Sequence, residues 1–109
     1  MRTLADQVRD LAHVYVRHGG KKNRRQQVDR VAAMANWIQA RYRLNGLGQI
    51  GKRQVIAYWK DNRDWAPRTA YAHWLAVREL WRWLGRAGDP PAPWQAEEGE
   101  EELDDGQRV

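Results

Sequence analysis

The chain has 109 residues, no cysteine, and a formal net charge of +5 from 19 Lys and Arg against 14 Asp and Glu. That length suits one small domain held by hydrophobic packing, and the missing cysteines exclude disulfide staples and thiolate metal sites. No run approaches the ~18 apolar residues of a membrane span, and MRTLADQVRD lacks the pattern of a signal peptide, so a soluble intracellular protein is expected.

Thr3 followed by Asp6 makes a start of the capping-box kind, and Leu4, Val8, Leu11, Ala12 and Tyr15 share one face at helical spacing. The first predicted helix therefore runs to the break at Gly19-Gly20. A second begins around Asn23, turns Val28, Val31, Ala32, Ala35, Ile38 and Tyr42 inward, and stops at Asn45-Gly46. GLGQIG at 46–51 has the outline of a phosphate-binding glycine loop, but no strand precedes it, so it reads as a link. A short third helix near 52–61 buries Val55, Ile56 and Trp59, with Ile50 just outside it. Pro67 suits the first turn of a fourth helix whose inward face is Ala70, Trp74, Val77, Trp81 and Leu84, ended by Gly85 and Gly88. No alternating run of strand length competes. The predicted class is all-α, a compact bundle of four or five helices spanning 1–88, followed by a proline-rich link and tail at 89–109.

Charge divides along the same boundary. Residues 1–94 hold 18 Lys and Arg and 7 Asp and Glu, a charge of +11, whereas 95–109 carry −6. So many repelling carboxylates with only Leu103 and Val109 as large apolar residues predict a disordered tail. Its charge also permits it to fold back on the basic body and compete with a polyanion.

The body's cations cluster at predicted helix starts. Lys21, Lys22, Arg24 and Arg25 open the second helix beside Asn23 and Gln26, Lys52 and Arg53 open the third, and Arg63 and Arg68 flank the loop before the fourth. Cations there oppose the helix macrodipole, so they do not serve helix stability. A polyanion supplies the missing partner, because phosphates are met by the side chains and by the free N–H groups of the same helix ends. Arginine outnumbers lysine 15 to 4, which favours the guanidinium fork's fit to phosphate and guanine edges.

Seven Trp and no Phe make an unusual aromatic set. Trp37, Trp59, Trp74 and Trp81 are expected in the core. Trp65, Trp83 and Trp94 are the members of an alternative reading, in which they form an exposed patch on a protein-interaction module.

Catalytic chemistry is not visible. His13, His18 and His73 have no metal-ligand spacing, Asp61 and Asp64 sit among cations, and the chain has no Ser. No cofactor, metal or enzyme activity is expected.

Ala66-Pro67-Arg68-Thr69, then Trp74, Val77-Arg78 and Trp81-Arg82-Trp83-Leu84-Gly85 together resemble the last large helix of the SAM-like core-binding domain of tyrosine recombinases and phage integrases. His18-Gly19-Gly20 before a basic helix, Ile50, Val55 and Tyr58-Trp59 agree in order, and Gly85-Arg86 closes the helix as in integrases of integrative elements. The resemblance covers about residues 15–88. It implies a bundle that clamps duplex DNA with its second and fourth helices. By position the contacts would come from Lys21, Lys22, Asn23, Arg24, Arg25 and Gln26, and from Arg68, Thr69, Ala72 and His73, with Arg78 structural or on a phosphate. Where relatives carry Ser and Thr at the second helix, this chain has Lys21-Lys22-Asn23-Arg24, which shifts contact toward charge. The recombinase catalytic domain has no counterpart in 109 residues, so the implied role is DNA recombination or integration without cleavage. Such a module would be either a fragment of a longer recombinase or a stand-alone accessory working beside a separate recombinase or other protein, in the cytoplasm at the prokaryotic nucleoid. A small DNA-binding transcriptional regulator is the other nucleic-acid reading.

Overall fold

The computed structural model describes residues 3–13 and 21–95, with backbone alone at Lys21, Lys22 and Gln95. Four α-helices and no strand occur among them: α1 (Leu4–Leu11), α2 (Lys21–Tyr42), α3 (Lys52–Asp61) and α4 (Pro67–Trp83), with 3-10 turns at Leu47–Gln49 and Pro93–Gln95. The all-α prediction holds. The predicted tail disorder concerns residues outside the described ones.

α1 begins at the predicted cap. Thr3 Oγ1 accepts from the Asp6 N–H at 3.0 Å, and Asp6 Oδ2 accepts from the Thr3 N–H at 3.1 Å. Leu4, Ala5, Val8 and Ala12 are buried, but the helix ends at Leu11, which is 40% exposed and not on the core face as expected. Tyr15 and the glycine pair lie outside the described residues. α1 lies antiparallel on α2, fixed at one end by Leu4 N–H donating to Gln39 Oε1 at 3.0 Å and at the other by Arg9 with Asp29 at 3.2 Å.

α2 starts two residues before Asn23 and buries Val28, Val31, Ala32, Ala35 and Ile38 as predicted, together with Met34. Tyr42 is 37% exposed, because the chain leaves the helix immediately afterwards. Arg43 makes that exit with φ 53°, a left-handed conformation taken before Asn45-Gly46 is reached. The following loop is bound to α1 by Gln7, whose amide donates to Asn45 O at 2.9 Å and accepts from the Leu47 N–H at 3.2 Å.

α3 has the predicted bounds and buries Val55, Ile56 and Trp59, plus Tyr58. Asn62 closes it by donating to Tyr58 O at 2.9 Å, and the turn brings the Trp65 N–H to Asn62 O at 3.0 Å. α4 buries Ala76, Val77, Leu80 and Trp81, while Ala70, Trp74 and Leu84 are half-buried. Its end is a Schellman motif: with Gly85 at φ 72°, the Gly85 N–H reaches Arg82 O and the Arg86 N–H reaches Trp81 O, both at 3.0 Å. Arg86 also lays its guanidinium 4.5 Å from the Trp81 ring and donates to Gly48 O.

The packed body does not stop near residue 88. Pro90 and Ala92 are buried, Trp59 Nε1 donates to Pro91 O at 2.9 Å, and Trp74 Nε1 donates to Pro90 O at 3.2 Å. Prolines end a helix but keep their carbonyls, and two buried-side indoles need acceptors. The stretch expected to be a free link is thus a strap across α3 and α4.

Candidate nucleic-acid interface

α2 and α4 begin in a similar way. Neither has an acidic residue in its first turn, and α4 follows Ala66, which makes no side-chain cap, with Pro67 at the first turn. The Arg68 and Thr69 backbone donors therefore precede the intrahelical ladder without a side-chain acceptor from the cap residue. Arg68 and Thr69 are exposed; on α2, Asn23, Arg25 and Gln26 are exposed and Arg24 is half-buried. Lys21 and Lys22 occupy the first two helical positions.

His73 joins the two helices. Its ring stacks on Trp65 at 4.0 Å and 23°, and its pKa is held below the usual histidine value by burial and then by the nearby Arg30 charge. α4 packs on α2, and the Arg30 charge is felt at His73. Arg68 and Thr69 stand about one turn before His73, and Arg25 and Gln26 about one turn before Arg30, each ~6–8 Å along its axis. α2 and α4 pack on one another, with Gln26 and Thr69 on the same helix faces as Arg30 and His73, while Arg25 and Arg68, five residues back, turn about 140° away from those faces. His73 is half-buried with its ring stacked on Trp65, so part of the side chain predicted to contact bases is covered. Ala72 is half-buried beside it.

Lys52 and Arg53 are exposed but belong elsewhere. α3 reaches this region by its opposite end, where Tyr58 and Trp59 meet Trp65 at 5.7 and 6.5 Å, so its first residues stand off by about 10 Å or more along the helix. At its start Gln54 Oε1 accepts from the Gly51 N–H at 2.8 Å.

Three acids among the described residues pair with cations outside the candidate set. Asp29 pairs with Arg9 at 3.2 Å, Asp61 with Arg41 at 3.7 Å, and Glu79 with Arg82 at 3.1 Å. Among the described residues these ion pairs use neither Arg25 nor Arg68. A cleft of about 390 Å³ between the end of α1 and the start of α2 is lined by Arg9, His13, Arg25, Val28 and Asp29, extending the basic region toward α1.

The three-tryptophan patch does not assemble. Trp65 and Trp83 pack against the core, and Trp94 stands instead with Tyr71 and Trp74. Sequence reasoning missed that grouping because Trp94 lay in the stretch read as a link; the spacing of Tyr71 and Trp74 was its one available signal. Among the described residues no group of His, Asp or Glu is placed to hold a metal, and no helix is long and apolar enough to cross a membrane. No protein-family model, curated protein or solved structure matches the chain.

Proposed function

We propose that the protein binds duplex DNA through the starts of α2 and α4, as a core-binding module of the recombinase type that performs no cleavage itself. What supports this reading is that α2 and α4, which pack on one another, both start without an acidic residue and carry exposed arginines there. Arg25 and Arg68 meet phosphates, aided by the N–H groups of the α4 start. Asn23, Gln26 and Thr69 are the polar side chains able to read base edges once the phosphates fix the register. Lys52 and Arg53 form a separate contact or none. DNA breakage and rejoining are the work of a catalytic domain other than this one.

A salt titration of duplex binding tests this. The logarithm of affinity falls with the logarithm of salt with a slope of about −0.9 per phosphate neutralised. The double variant Arg25→Glu with Arg68→Glu loses about tenfold or more in affinity and flattens that slope, while thermal unfolding stays as in the parent. A parent protein that shifts no duplex at low salt, or a double variant with unchanged slope, overturns the proposal.

A further inference from the structure

The solvent side of α4 carries aromatic surface that the fold leaves open. Tyr71 is 49% and Trp94 62% exposed. Their rings lie 6.2 Å apart at 27°, and Trp74 joins them at 6.0 Å from Tyr71 and 5.5 Å from Trp94. Trp94 thus leans on two rings while most of its own surface faces water.

That ring is held in place. The strap leading to it is bonded by the Trp74 and Trp59 indoles to the carbonyls of Pro90 and Pro91, and its three prolines restrict backbone freedom. The fold therefore presents, in a fixed position, an indole that adds little to the core. Cations stand at both ends of the cluster. Arg68 precedes Tyr71 by one turn, and Arg78 holds its guanidinium 5.2 Å from the Trp74 ring with a buried Nε that has no hydrogen-bond partner. Flat ring faces between arginines fit a strand that presents bases and phosphates in alternation.

We propose that Tyr71, Trp74 and Trp94 form a stacking platform for unpaired nucleobases at the margin of the duplex site, with Arg68 shared between the two. The duplex site is the reading on which this rests. It assigns the protein a preference for DNA whose helix ends or opens beside the bound segment. Unpaired bases are favoured over a protein ligand because the patch is continuous with the basic start of α4.

The full chain is titrated by fluorescence anisotropy with three probes at one salt concentration: a blunt duplex, the same duplex with a short thymidine overhang, and the free single strand. The overhang is expected to tighten binding by about fivefold or more, the scale of one stacked base. Trp94→Ala removes that gain and leaves blunt-duplex affinity as it was, whereas Trp94→Phe, which keeps a ring to stack, retains most of it. The Pro90 and Pro91 hydrogen bonds do not involve the Trp94 side chain, so the variants keep the strap. Equal affinity for blunt and overhanging duplex overturns the platform and leaves the duplex reading standing. An overhang preference that survives in Trp94→Ala also overturns it. Single-strand binding sensitive to Trp94 without duplex binding overturns the duplex reading and supports the platform. Failure to bind all three overturns both.

Discussion

Trp59 shows how one side chain can serve two purposes. It is 2% exposed, fills the centre of the core, and uses its only polar atom to hold Pro91. Trp59→Phe keeps most of the ring and removes the donor, and should cost about 1 kcal/mol; Trp59→Ala adds a cavity and should cost about 3–5 kcal/mol in denaturant unfolding. His73 gives stability a pH dependence. Because burial and Arg30 depress its folded pKa, the unfolded chain takes up a proton first as pH falls, and stability declines from about pH 6.5 downward until the folded-state pKa is passed. The decline in unfolding free energy between pH 7 and the onset of carboxylate titration should be shallower in His73→Gln. An unchanged slope would remove His73 as its source.

At the level of elements, boundaries were legible where a residue type dictates backbone geometry. Thr3, Pro67 and Gly85 each marked an end that the structure keeps, and the α3 bounds followed from the spacing of Val55, Ile56 and Trp59 after the 46–51 link. Gly85→Ala, forced to φ 72°, should destabilise by about 1 kcal/mol, and Thr3→Ala by a similar amount through loss of the cap; chemical denaturation with unchanged m-value would verify both. Less legible were faces set by tertiary neighbours. Met34 on α2 and Ala76 and Leu80 on α4 fall outside the single stripe that a 3.6-residue period selects, yet they are fully buried: α2 is packed by three helices, and α4 by α2 and by the 3-10 turn at Pro93–Gln95. Leu11 and Tyr42 fit the stripe but sit at helix ends, where no neighbour covers them. The candidate site divides in the same way: the cation positions were readable, but their grouping was not. That Lys52 and Arg53 stand apart from Arg25 and Arg68, and that His73 turns to Trp65, depends on how helices cross.

For the whole molecule, the strap changes what counts as the domain. A chain ending at Gly88 loses the acceptors of Trp59 and Trp74 and the cover of Pro90 and Ala92, and should be less stable than one ending at Gln95 by about 2 kcal/mol or more. Equal melting temperatures for the two would show the strap to be energetically idle. The charge of the last residues bears on binding and not on this packing. If the −6 segment competes for the basic face, removing residues 96–109 tightens duplex binding at low salt, and the gain shrinks as the Debye length contracts.

The two tryptophans at the extremes of exposure, Trp59 at 2% and Trp94 at 62%, also give the protein a pair of internal optical reporters. A neutral collisional quencher reaches the indole on the platform long before the one beneath the strap. Trp37, Trp65, Trp74 and Trp83 are part-exposed as well, so the share of the accessible fraction that Trp94→Phe removes follows occupancy of Trp94, and loss of the protected fraction, shared by Trp59 and Trp81, follows opening of the core beneath the strap. Emission from the unlabelled chain, read against that variant, can thus separate ligand arrival from partial unfolding.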